Sequence, residues 1–525
     1  MGGGGLGDKL TAYSEPDTGQ LIYTELKETD IIFNPASINA IAIGKDAGGN
    51  KSTVMGGQGG SAIAIGNKAG QDQQSNTIAI GPCAAETGQL SGAISIGVMA
   101  GVTDQKAGAV AIGANAGGTN QQTGSVALGE LAGTTTQGTG GGYSVAVGYN
   151  SGNSNQQTSA VAIGYEAGMT GQQKHSVAIG STAGKTNQGT GEGASIAIGY
   201  QTAEINQRQQ AIAIGNQAGY NDQQLNAIAI GTFSGQKGQG EQAIAIGQNA
   251  GNTGQQTNSV AIGYDAGNTG QQTSAVAVGV NAGKNNQVSG AVAIGQNAGN
   301  TNQQSNTVAI GVGAGYNDQH SSAVAIGQNA GYTNQQSNTV AIGNDAGKNN
   351  QVSGAVAIGQ NAGQDGQNDT AVAIGYDAGR TRQGRFAVGV GRSAGQIDQG
   401  DNCVAVGSGA GQYDQLQTAV AVGNAAANKN QGIGAVAVGR NAGEFNQGND
   451  AVAIGTMAGQ GINLGQGQHH NSIIINASGS ALNSLDVSRF YVNPIRIVTD
   501  NTGLFSLYYD STTSEIVAWN DTAGP

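Results

Sequence analysis

Few residues in this 525-residue chain have the types and spacing that chemistry needs. Gly180-Ser181-Thr182-Ala183-Gly184-Lys185-Thr186 looks like a phosphate-cradling loop, but it is one residue short of the required spacing and sits in register with a repeat, so nucleotide binding is not expected. The four histidines, His175, His320, His469 and His470, form no Cys/His group with metal-ligand spacing. His469-His470 could ring a metal about a symmetry axis, but a polar junction is the better reading. Arg380, Arg382, Arg385 and Arg392 crowd neighbouring repeats. They could contact an acidic receptor or glycan, but a solvated face is the better reading. Asp and Glu change position from repeat to repeat, so no carboxylate pair suited to glycan cleavage stands out. No enzyme activity, metal or other cofactor is expected.

The bulk composition agrees with that expectation. Ninety-four glycines and 4% aromatic residues cannot fill a thick core, and 10% charged residues are too few for a charged disordered chain. The net charge of −12 has no basic tract beside it, which argues against nucleic acid as a partner. No apolar stretch is long enough for a transmembrane helix, and the glycine run after Met1 lacks the features of a secretory signal, so neither membrane insertion nor a signal peptide is expected. Cys83 and Cys403 lie twenty repeats apart, roughly 100 Å at about 4.8 Å per coil, too far for a disulfide. Cys403 takes a slot otherwise held by Ala, Ser or Thr and reads as a small buried residue.

The chain is organised by one sixteen-residue unit, clearest in Ala323 to Asn338, Ala-Val-Ala-Ile-Gly-Gln-Asn-Ala-Gly-Tyr-Thr-Asn-Gln-Gln-Ser-Asn. The glycine closing each Ala-Val-Ala-Ile block gives 26 copies from Gly44 to Gly455, spaced by sixteen without exception from Gly199 onward. A repeat this short and strict specifies an all-β solenoid of about 26 coils. It spans residues 40–470, with a cap or base-docking segment at 1–39 and a C-terminal β cap or trimer-closing segment at 471–525. In the C-terminal segment Leu504 to Tyr509 and Glu515 to Trp519 flank Asp510 to Ser514, which reads as a hairpin.

Within a unit the large apolar residues, such as Val324 and Ile326, alternate with small ones. Alternation at period two puts each set on its own strand face. The large set is assigned to the coil interior. The small set, Ala291, Ala293, Ala323, Ala325, Ala355 and Ala357 among them, is assigned to a face covered by another copy of the chain. The second conserved glycine, replaced by Ala85, Ala203 and Ala427, is expected to need small size more than a left-handed backbone. Eight residues after the closing glycine stands a glutamine, from Gln74 to Gln447 in 24 consecutive coils, Gln287, Gln303, Gln319, Gln335 and Gln351 among them. Stacked at the coil spacing, these amides could form a hydrogen-bonded ladder down one edge. Three-residue insertions within Gln137 to Tyr143 and Gln188 to Ala194 should protrude on one side.

Ser125-Val126-Ala127-Leu128-Gly129 and Ser259-Val260-Ala261-Ile262-Gly263 resemble the head repeats of YadA-like trimeric autotransporter adhesins, over roughly residues 40 to 476. The resemblance implies a left-handed parallel β-roll in a homotrimer whose Ala-Val-Ala-Ile strands line the axis. Asn471 to Gly479, Arg489 to Arg496, Leu507-Tyr508-Tyr509 and Thr513 to Ile516 resemble the ends of repeat-rich fibre proteins of large DNA viruses and phages. Together they imply a virion fibre or spike about 120 Å long, anchored to a particle base protein at one end and meeting a host receptor or glycan. Two further readings are a monomeric solenoid that binds ice or polysaccharide, and an extracellular or cell-surface filament.

Overall fold

The computed structural model describes residues 13–14, 21–22, 31–32, 40–49, 58–461, 467–496 and 506–519. The chain is an all-β parallel solenoid of about 27 turns of about sixteen residues, and it divides into two compact units, 1–370 and 371–525. In the first unit the Ala-Val-Ala-Ile blocks form three-residue strands from Ile41–Ile43 to Val356–Ile358. Each pairs in parallel with the next, Val324 on Val340, Ala325 on Ala341 and Ile326 on Ile342. Like therefore stacks on like throughout the sheet. A second, shorter ladder runs along another face. It consists of single bridges from Thr87 to Asn285 and then of strands from Asn285–Gln287 to Asp365–Gln367.

Left-handed corners bend the chain into a coil. In the unit that contains Gly327, Asn329, Asn334 and Asn338 have φ of 51, 53 and 60°. Asparagine tolerates this region better than most residues, which explains its frequency at these positions. The closing glycine is more demanding. Gly327 has φ +125°, and a Cβ there would stand 2.5 Å from the carbonyl oxygen of Gly343 in the next coil. Only glycine fits both conditions. The second glycine is also left-handed, and Ala85, Ala203 and Ala427 at that position adopt φ of 47, 45 and 45°. Small size and left-handed backbone are therefore both required there, contrary to the sequence-based expectation.

Between corners, backbone N–H groups bond to the coils on either side. Val324 N donates to Thr339 O at 2.9 Å in one direction and Gly327 N to Ile310 O at 2.8 Å in the other. This satisfies most of the main chain without a thick core.

The interior is narrow enough to reverse the assignment of the two strand faces. Ala291, Ala293, Ala323, Ala325, Ala355 and Ala357 are fully buried within a single chain, and so is Ala330. They are not surface residues and do not face a neighbouring copy. Their large neighbours point outward: Val324 and Ile326 are only partly buried, and Ile294, Ile310 and Ile358 keep 36–39% exposure. The reason is steric. A Cβ placed on Gly283 would meet Gln287 Oε1 at 2.6 Å and Ala277 Cβ at 3.2 Å, so the opposing walls leave room for methyl groups and one extended amide.

At the N-terminus, Tyr13–Ser14 pairs antiparallel with Leu21–Ile22, and Ile31–Ile32 pairs antiparallel with the first coil strand, Ile41–Ile43. The remainder of the expected 1–39 segment lies outside the described residues, as do residues 50–57.

The second unit is built of coils of the same kind, with strands from Val372–Ile374 to Val452–Ile454 and a second ladder from Thr381–Gln383 to Phe445–Gln447. Ile473–Asn476 stacks in parallel on Val452–Ile454, and Phe490–Asn493 stacks on Ile473–Asn476. Ser506–Asp510 and Glu515–Trp519 form the antiparallel hairpin. None of the described residues forms a helix long and apolar enough to cross a membrane.

Candidate functional site

Two features recur in every coil and dominate the chemistry of the fold. One is an internal column of glutamines, the other an external stripe of Val and Ile.

The glutamines lie inside the coil and not along an edge. Gln287, Gln303, Gln319, Gln335 and Gln351 are fully buried. Their amides join in sequence, Nε2 of each donating to Oε1 of the next at 3.1, 3.1, 3.0 and 3.1 Å. Each Nε2 also reaches across the coil to the strand, as Gln319 does to Val308 O at 3.0 Å and Ala323 O at 3.1 Å. Two hydrogens shared among three acceptors make these bonds three-centred. The column thus fills the lumen and ties strand to ladder in the same step. In the short coil after Gly66 it is Gln73, and not Gln74, that enters the column, donating to Gln89 Oε1 at 2.8 Å.

Both three-residue insertions interrupt the column. Gln156 Oε1 and Gln207 Oε1 are buried without a hydrogen-bond partner, each in the first coil after an insertion. The insertions themselves fold as tight turns, closed by Gly142 N to Gly138 O at 2.7 Å and Gly193 N to Gly189 O at 3.0 Å.

The Val/Ile stripe presents two half-exposed aliphatic residues per coil on one sheet face. It is a contiguous apolar surface, and a monomer rarely leaves such a surface in water.

Two outer ladders are not legible as ladders in the sequence. Asn286 donates to Asn302 at 3.2 Å, Asn302 to Asp318 at 2.9 Å and Asn334 to Asn350 at 3.2 Å. At another corner Asn249 donates to Asp265 at 2.9 Å, Asn281 to Asn297 at 3.1 Å and Asn329 to Asp345 at 3.1 Å. Asn or Asp recurring at two fixed offsets from the closing glycine is the signal that could have found them.

The residues singled out for chemistry fall into ordinary coil positions. Lys185 pairs with Glu166 at 2.7 Å, and this hydrogen bond raises its pKa above the usual lysine range. The surrounding Gly180 to Thr186 is a standard coil corner. Arg382 forms a two-pronged ion pair with Asp398, and Arg385 N donates to Asp401 at 2.8 Å. His470 Nδ1 accepts from Asn449 N at 2.8 Å, and His469 Nδ1 lies 3.0 Å from Ser484 Oγ, so both rings sit in a polar junction. No group of His, Cys, Asp and Glu suited to a metal occurs among the described residues. Cys83 and Cys403 are free thiols, and burial pushes the Cys403 thiol up to about 11.

Fold and site together define a parallel β-solenoid with a glutamine-filled lumen and an apolar outer stripe. Comparison with family models, curated proteins and solved structures finds no match.

Proposed function

We propose that this chain is the subunit of a homotrimeric virion fibre or spike, a left-handed β-roll that holds a host-attachment surface away from the particle. The observation that carries this reading is the Val/Ile stripe: two outward aliphatic residues in each coil form a self-complementary face, and three such faces around an axis bury it. The sequence likenesses to YadA-like heads and to viral fibre endings support it. The copies meet through Val324 and Ile326 and their equivalents, while the alanines stay inside each chain. Such a rod carries no reaction; its parts serve length, stiffness and display, with a base protein at one end and a receptor or glycan as partner. Analytical ultracentrifugation tests the reading: a trimer is expected, and a stable monomer overturns it.

A second reading has one observation in its favour. Thr87, Thr103, Thr119, Thr135, Thr170 and Thr186 stack on one face, with Ser154 in the series, before Ile205 ends the row. A regular threonine row is what a monomeric ice- or polysaccharide-binding solenoid would present. A thermal-hysteresis assay on the purified protein separates the two, since a fibre subunit gives none.

A further inference from the structure

A strictly repeating face has a weakness as an interface. Sliding one chain past another by one coil, about 4.8 Å, exchanges each Val/Ile pair for an equivalent one. The stripe can therefore bring chains together without fixing their register. Some non-repeating surface, continuous with the stripe, has to do that.

The second unit carries such a surface. Ile473 stacks on Val452 and Ile475 on Ile454, then Phe490 stacks on Ile473 and Val492 on Ile475, so the outward row runs on while its residue types change. In the row Ile473 is 42% and Phe490 54% exposed, and in the segments that follow it Ile495 and Leu507 are 68% and 72% exposed. A groove of about 550 Å³ lies beside it, lined by Leu482, Tyr491, Tyr508, Tyr509 and Ile516 together with residues just named, and it has no charged lining residue among those described. An apolar groove continuous with a self-complementary stripe fits a second copy of the same surface.

We infer that Ile473, Ile475, Phe490, Val492, Ile495 and Leu507 form the register lock of the trimer, the surface on which three chains align before their repeats close. The inference rests on the trimeric reading. It gives the non-repeating end a task that the repeats cannot perform.

The test uses the full chain and its own thiols. Cys83 is the more accessible of the two, while Cys403 is buried with a raised thiol pKa, so a nitroxide reagent at neutral pH labels Cys83 selectively. In the wild-type trimer, double electron–electron resonance should give one narrow distance, the side of an equilateral triangle. Ile495→Asp/Leu507→Asp changes side chains that are mostly exposed in the single chain, so the coil should persist by circular dichroism. Its distance distribution should broaden or split, or the trimer should be lost. Tyr509→Asp, at 66% exposure, is a second variant with the same expected result if the first misfolds. Variants that keep one narrow distance and sediment as trimers overturn the register lock and leave the trimeric reading intact. A monomeric wild type overturns both.

Discussion

Gln319 Nε2 lies 3.0 Å from Gln335 Oε1, and both side chains are completely buried inside the coil. This contact, repeated coil after coil, replaces the aliphatic core of a thicker protein with a polar column. A buried amide that loses its partner is costly, so the column should be intolerant of gaps.

Gln319→Ala is expected to destabilise the array by about 2–4 kcal/mol, because it removes packing and strands Gln335 Oε1 together with the carbonyls of Val308 and Ala323. Guanidinium unfolding followed by circular dichroism measures this. A loss under about 0.5 kcal/mol would mean that the column contributes little.

The two glycines of a unit should respond differently to alanine. Gly327→Ala forces a Cβ against Gly343 O at φ +125° and is expected to cost about 3 kcal/mol or more. Gly331→Ala, at φ +52°, repeats what Ala85, Ala203 and Ala427 already do and should cost about 1 kcal/mol. Equal midpoints for the two variants would contradict this geometry.

Ile326→Asp alters the outward stripe and not the lumen. The monomer's secondary structure should be retained, while on the proposed trimeric reading association should weaken by about 2 kcal/mol per subunit, as one aliphatic contact is lost and a carboxylate desolvated. Sedimentation equilibrium at several concentrations would show it. Ala325→Asp should instead prevent the coil from forming.

Cys403 offers a pH readout. Its folded-state thiol pKa is about 11, above the ordinary value of 9.0, so the folded chain holds this proton more tightly than the unfolded one. The associated stabilisation is full below about pH 9 and is lost as pH rises toward 11. Alkylation at pH 8 should modify Cys83 quickly and Cys403 only after denaturant is added, and Cys403→Ala should flatten the alkaline fall in stability.

The amino-acid sequence alone determined the period, the strand in each coil, the closing glycine, the hairpin at 506–519 and the existence of a glutamine series. All of these follow from local pattern: sixteen-residue recurrence, alternation at period two and turn-forming residues. Which strand face is inside was not local. Alternation separates Val324 and Ile326 from Ala323 and Ala325 but says nothing about which pair faces the lumen, and placing the larger pair inside presumes a core wide enough for it. Only the closed coil decided otherwise. Once Gly331 and Ala330 return beneath the strand, the space left beside Ala323 and Ala325 holds one extended glutamine, so small residues and an amide fill the interior and the large aliphatic residues are left outside.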